Sequence, residues 1–90
     1  MTKCYLTALK DRIFKILPLF EEANIGFPEY VSGCQHELEG YAHTVENPAP
    51  FLKMVSVLSF LAHGTYTHAE CRREVLGMLS MLDKIMEEVS

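Results

Sequence analysis

Apolar residues recur along most of the chain at alternating spacings of three and four, which is the period of an α-helix. A first helix is predicted over about residues 2–25. Pro18 interrupts it on the side opposite the apolar stripe, so we expect a bend facing water rather than an end. A second helix is predicted over about residues 28–46. The two stripes hold, in turn, Leu6, Leu9, Ile13, Ile16, Phe20 and Ala23, and Val31, Cys34, Leu38, Tyr41 and Val45.

A third helix, predicted over about residues 50–63, is apolar almost all round. The segment 51–62 is interrupted only by Lys53, Ser56 and Ser59, which form one narrow polar stripe with His63. A helix with so little polar surface requires burial by neighbouring helices or by a partner. It is too short to span a bilayer. We therefore predict a core helix and no membrane contact.

A fourth helix is predicted over about residues 67–89. Thr67 and Glu70 have the spacing of a capping box, in which each side chain accepts a backbone N–H bond at the start of a helix. The apolar stripe that follows again has helical spacing, and no segment of the 90 residues alternates as a strand does. The pattern predicts an all-α fold, a small antiparallel four-helix bundle in a single domain.

Charge is distributed unevenly along the chain, whose net charge is −4. Residues 21–50 contain six glutamates and no lysine or arginine. Such a segment repels nucleic acid and attracts basic surfaces, although a solvated helix face explains it equally well. The three cysteines match no disulfide or metal framework. No signal peptide is recognised at the N-terminus, which predicts a cytoplasmic protein.

The second predicted helix has an unusual polar side. Opposite its apolar stripe lie Glu29, His36, Glu39 and His43, together with two glycines, Gly33 and Gly40. A glycine inside a helix costs roughly 1 kcal/mol relative to alanine. Two explanations remain open at this point: close approach of a partner, or close packing against another helix of the same chain.

Metal and catalytic chemistry receive little support from the motifs. The spacing of His36, Glu39 and His43 could place three ligands near one ion, but it is not the HExxH pattern of zinc proteases. No serine or cysteine lies in a recognisable nucleophile motif. We therefore predict no enzyme activity, no metal and no cofactor, with a small metal-dependent enzyme or sensor as an open alternative. A second cluster, equally weak, is His63, His68 and Cys71.

The third predicted helix presents two large apolar residues, Leu52 and Phe60, beside its polar stripe. Exposed apolar side chains next to an acidic segment are typical of a protein interface. This interface would take either a different protein or a second copy of the chain.

Two stretches, LKDRIFKILPLFEE (9–22) and RREVLGMLSMLDKI (72–85), together with the size and the acidic segment, resemble the small all-helical immunity proteins of bacterial contact-dependent or polymorphic toxin systems. The resemblance implies an inhibitor that covers the basic active-site cleft of a nuclease-type toxin. The alternative is a homodimeric structural or regulatory protein with the third predicted helix at its interface. From the charge and exposure pattern, the predicted partner-binding residues are Glu22, Glu29, His36, Glu39, His43, Glu46, Leu52 and Phe60.

Overall fold

A computed structural model of the chain describes residues 2–89, with side chains described for residues 3–88. It contains five helical segments: α1 (Thr2–Phe14), α2 (Ile16–Glu21), α3 (Phe27–Ala42), α4 (Ala49–His63) and α5 (His68–Val89). No strand forms among residues 2–89, which confirms the predicted all-α class.

The helices form a small antiparallel bundle in which α1 and α2 together make the first arm. Lys10 Nζ, in α1, lies 2.6 Å from Asp83 Oδ1 in the second half of α5. At the other end of the arm, Glu21 of α2 faces Arg72 near the start of α5. The closest neighbours are α3 with α4 and α1 with α5. The predicted four-helix architecture is therefore confirmed.

The predicted apolar stripes supply the core of this bundle. Every described residue that is buried is apolar, and no charged or polar side chain is buried with them. Removal of this apolar surface from water is the main stabilising term of such a fold. The residues at most 1% exposed include Leu6, Leu9, Ile13, Ile16, Val31, Cys34, Leu38, Met54, Leu58, Leu61, Cys71, Val75 and Leu82.

The first predicted helix is not continuous, because it is divided at Lys15. Pro18 has no N–H to donate to Phe14, four residues earlier. The winding nevertheless continues on both sides: the Lys15 N–H donates to Asp11 O at 3.2 Å, and the Leu19 N–H donates to Lys15 O at 3.3 Å. Pro18 is exposed, so the interruption faces solvent as expected.

The first arm also ends earlier than predicted. Ala23, expected on the buried stripe, is exposed and adopts a left-handed backbone with a φ of 52°. The Ala23 N–H donates to Phe20 O and the Asn24 N–H donates to Leu19 O, both at 3.1 Å. These two bonds form the Schellman motif that ends many helices. Gly26, which directly follows the predicted end of the first helix, instead precedes α3 with a φ of −86°.

The second predicted helix is shorter than expected at its C-terminal end. The Thr44 N–H and hydroxyl both donate to Tyr41 O, at 2.9 and 2.7 Å. They satisfy a terminal carbonyl of α3, and the chain leaves the helix after Ala42. Val45 and Glu46 therefore lie in the α3–α4 loop rather than on a helix.

The capping box at the start of α5 is confirmed. The Thr67 N–H donates to Glu70 Oε1 at 2.8 Å, and the Glu70 N–H donates to Thr67 Oγ1 at 3.2 Å. The pKa of Glu70 is held below its usual value, mainly by the hydrogen bond from the Thr67 backbone and secondly by the hydrogen bond with the Thr67 side chain. Two N–H groups that the helix leaves without partners are thus satisfied reciprocally.

Candidate protein-binding face

The outer face of α3 consists of Glu29, Gly33, His36, Glu39, Gly40 and His43, and all six residues are exposed. The opposite stripe of α3, which includes Val31 and Leu38, is buried in the core. The 3.6-residue period of the helix separates the two sets because residues three or four apart share one side. The structure therefore places the predicted residues of this helix together on one solvent-facing surface.

The two glycines of this face have open space where a side chain would lie. A Cβ atom built on Gly33 or on Gly40 would have no atom within 4 Å apart from the nearby backbone of its own helix. Close packing against another helix of the same chain, one of the two explanations left open by the sequence, is therefore excluded. The helix contains two unfavourable residues that its own fold does not require.

The six glutamates of residues 21–50 divide into two groups. Glu21 Oε1 lies 3.8 Å from Arg72 Nη2, and Glu37 accepts a hydrogen bond from Arg12, which raises the pKa of that guanidinium. The remaining four are exposed, and within residues 3–88 none of them forms an ion pair. These four are the glutamates predicted to bind a partner: Glu22, Glu29, Glu39 and Glu46.

The histidines of the outer face do not form a metal site with its glutamates. His36, Glu39 and His43 share one side of α3, but among the described residues no group of three His, Cys, Asp or Glu side chains is placed to hold an ion. The two imidazoles remain exposed groups that can donate or accept hydrogen bonds.

The second predicted cluster is also dispersed. Cys71 is fully buried in the core, where burial raises the pKa of its thiol. His68 instead packs against Phe20, with ring centroids 4.8 Å apart. His63 is exposed at the end of α4. These three residues serve different parts of the fold.

The two apolar residues predicted for the interface are both exposed, but they do not lie together. Leu52 is 43% exposed and Phe60 is 44% exposed. Phe60 lines a groove with Glu74 of α5, and its ring lies 5.2 Å from that of Tyr66. Phe60 therefore belongs to the flank of α4 that faces α5. The structure does not join it to the outer face of α3.

Ile25 is an exposed apolar residue that the sequence reasoning missed. It is 98% exposed in the turn between α2 and α3, between Glu22 and Glu29 in the chain. A groove of about 460 Å³ lies at this end of the bundle, lined in part by Phe20 and Phe27. The sequence did offer a sign that Ile25 is exposed, because Ile25 falls outside the helical spacing of the apolar stripes on either side of it.

Comparison of the chain with protein-family models, with curated proteins and with solved structures finds no match. Among the helices of residues 2–89, none combines the length and the apolar character needed to cross a membrane. Evidence about function therefore comes from the exposed side chains and the charges of the bundle itself.

Proposed function

We propose that this protein is an inhibitor that binds another protein through the outer face of α3. The specific proposal is an immunity protein that neutralises a basic, nuclease-type bacterial toxin by covering its active-site cleft. The observation that carries the proposal is the pair of solvent-facing glycines, Gly33 and Gly40, on the same helix face as Glu29 and Glu39, two glutamates that form no ion pair within residues 3–88.

The glycines support close approach of a partner. Each one costs roughly 1 kcal/mol of helix stability relative to alanine, and no intramolecular contact offsets that cost. Because glycine has no side chain, a partner's backbone can lie directly against α3 at these two positions. They are seven residues apart and therefore lie on the same side of the helix, two turns from each other.

The unpaired glutamates support a basic partner. Glu22, Glu29, Glu39 and Glu46 are distributed along α3 and just beyond both of its ends. A nuclease-type toxin has a cationic cleft because its substrate is a polyanion. Complementary charge accelerates association and disfavours incorrect partners. His36 and His43 add hydrogen-bonding groups to the same face.

Exposed apolar residues lie near both ends of α3. Ile25 precedes α3, and Leu52 lies in the first turns of α4, next to the end of α3. The ring contact between Tyr41 and Phe51, with centroids 5.3 Å apart, brings these two helix ends together. Interfaces combine a few apolar anchors with a polar rim. We therefore propose Ile25 and Leu52 as the anchors, in place of a pair formed by Leu52 and Phe60.

A pull-down with the tagged protein from a lysate of its own source, at low and high salt, identifies the target. Recovery of one basic protein in near-equal amount, released by salt, is the expected result. With that target purified, Glu39→Lys combined with Glu46→Lys should raise the dissociation constant by at least about tenfold and flatten its salt dependence. The control is Asp11→Lys combined with Glu88→Lys, which makes the same change in net charge at exposed positions of α1 and α5. Equal affinities and salt slopes for all three proteins would contradict this placement.

The glycines provide a separate test. Gly40→Leu should leave the free protein at least as stable as the wild type, because its Cβ atom meets nothing. It should nevertheless block the partner's approach and weaken binding by about a hundredfold or more, whereas Gly40→Ala should weaken it less. A stable Gly40→Leu protein that binds its target normally would show that the glycine does not serve this contact.

A further inference from the structure

The side of the bundle on which the first arm lies against α5 repeats one pattern of charged and apolar residues. On each of the two, a cation is followed by a large apolar residue four positions later and by an acid eleven positions later. Because four and eleven residues are close to one and three full helical turns, each set of three lies along one side of its helix. We call these six residues the seam face: Lys10, Phe14 and Glu21 on the first arm, and Arg72, Leu76 and Asp83 on α5.

The two sets of the seam face run in opposite directions, so the cation of one set faces the acid of the other. Lys10 Nζ lies 2.6 Å from Asp83 Oδ1 at one end, and Glu21 Oε1 lies 3.8 Å from Arg72 Nη2 at the other. All four side chains are at least 37% exposed. Each end of the seam face therefore presents one positive and one negative group to solvent.

The middle of the seam face is apolar and uncovered. Phe14 is 55% exposed and Leu76 is 50% exposed, and the proposed inhibitor function uses neither of them. The two ion pairs set the register of the helices, which places Leu17 opposite Leu76 and leaves Phe14 about 4.5 Å from that level along the helix axis. A single exposed apolar residue needs no explanation. Two such neighbours between two ion pairs form a patch of the kind found at protein interfaces.

We propose that two copies of this chain associate through the seam face. The two-fold axis lies in the interface and crosses both helices at right angles, midway between the two ion pairs. Such an axis exchanges the ends of the seam face but not its helices, so the first arm lies antiparallel on the first arm of the second copy, and α5 lies antiparallel on α5. Phe14 and Leu76 are each about 2 Å from the axis along their helices, and each therefore meets its own counterpart.

The exchange of ends brings opposite charges together on both helices. Lys10 and Glu21 are equally far from the axis on the first arm, so Lys10 of one copy lies opposite Glu21 of the second copy. Arg72 and Asp83 are equally far from it on α5 and meet in the same way. Every cation then has two acids beside it, one from its own chain and one from the second copy.

This charge pattern selects a second copy as the occupant of the seam face. A two-fold interface must be complementary to itself, and a cation at one end of each helix with an acid at the other end satisfies that condition. The six residues have no net charge, so a partner of uniform charge would meet as many like charges as opposite ones.

The seam face is separate from the outer face of α3. Arg12 is two positions from Lys10 and therefore lies on the other side of α1, where it donates a hydrogen bond to Glu37 of α3. The first arm thus has α5 on one side and α3 on the other. Self-association goes beyond the proposed inhibitor function, and either can fail alone.

The test is sedimentation equilibrium at micromolar concentrations. The wild type should sediment at twice the chain mass of 10.2 kDa. Lys10→Glu combined with Asp83→Lys keeps the net charge and an ion pair within the chain, but it places like charges opposite one another at both ends of the dimer. This double variant should raise the dimer dissociation constant by about tenfold or more. Glu21→Lys combined with Arg72→Glu should do the same.

Recovery of association separates the interface from folding defects. Mixing the two double variants restores opposite charges at both ends, so a heterodimer should form, and the four substitutions combined in one chain should restore the homodimer.

The apolar centre has its own test. Phe14→Ser and Leu76→Ser should each give a folded monomer by circular dichroism, because both side chains are exposed in the single chain. Phe60→Ser, at an exposed apolar residue outside the seam face, is the control and should remain dimeric. A monomeric wild type, double variants that associate as the wild type does, or a mixture of them that stays monomeric would each overturn the proposal.

Discussion

The rings of Tyr5 on α1 and Tyr41 on α3 stack with their centroids 4.2 Å apart and their planes 20° from parallel. The hydroxyl of Tyr5 is buried at this contact, and within the described part of the chain it has no hydrogen-bond partner. Burial, the largest cause, raises the pKa of Tyr5. The stacked ring of Tyr5 thus stabilises the α1–α3 contact, whereas burial of its hydroxyl oxygen without a hydrogen bond destabilises that contact.

Tyr5→Phe should therefore stabilise the protein. The substitution keeps the stacked ring and removes a desolvated hydroxyl, for which we expect a gain of about 1 kcal/mol in the free energy of unfolding. Tyr30→Phe is the matched comparison, because the Tyr30 hydroxyl donates to Arg12 O at 2.7 Å; this variant should lose about 1 kcal/mol. Urea unfolding measures both. A loss of stability in Tyr5→Phe would show that its hydroxyl is satisfied by solvent.

Ala23→Gly should also stabilise the fold. Ala23 has a φ of 52°, a conformation in which a Cβ atom is unfavourable and glycine is not. After allowance for the greater freedom of glycine in the unfolded chain, we expect a gain of about 0.5–1 kcal/mol. Thermal unfolding should show a higher Tm. Ala8→Gly, at an exposed site inside α1, should instead lower it, and equal effects of both changes would contradict the role of Ala23.

The capping box should make stability depend on pH in the acidic range. Because the pKa of Glu70 is lower in the folded protein than its ordinary value of 4.5, its contribution is complete above that value and is lost as the pH falls through the folded pKa. Glu70→Gln should flatten this dependence. Thr67→Ala, which removes the side-chain acceptor, should cost about 1 kcal/mol at neutral pH. Unfolding measured from neutral pH down to about pH 3 compares the three proteins.

The cysteines should differ sharply in reactivity. Cys34 and Cys71 are fully buried, and burial raises the pKa of both thiols, so the reactive thiolate is disfavoured. Cys4 is exposed. A thiol reagent should modify one group rapidly in the native protein and all three after denaturation. Cys4→Ser should remove the rapid phase; a rapid phase that survives would show that the core opens readily.

The sequence predicts the core better than the ends of the helices. The spacing of Leu6, Leu9 and Ile13 reports which side of a helix is apolar, and that side is buried. Spacing alone placed Ala23 on the same stripe, although the chain turns there through backbone hydrogen bonds. Whether the helix ends at Ala23 or at Gly26 depends on those hydrogen bonds, and the apolar pattern carries no information about them.

The proposed binding face could be predicted only in part, for a related reason. The period of α3 separates Glu39 from the buried stripe, and the structure places it on the outer face. The helical period does not reveal that Arg12 of α1 donates a hydrogen bond to Glu37, because that contact depends on which helix lies alongside α3. The position of Phe60 towards α5 depends in the same way on the arrangement of the helices.

The pairing of α1 with α5 has a consequence for how the protein is made. The Lys10–Asp83 contact joins residues 73 positions apart, whereas α3 and α4 are joined by a short loop and pack closely. Contacts between distant residues form slowly because a long loop must close first. During synthesis, α3 and α4 can therefore pair while the apolar stripe of α1 still lacks α5. We therefore expect assembly to begin with α3 and α4, in the middle of the sequence, and to be completed when α5 reaches α1.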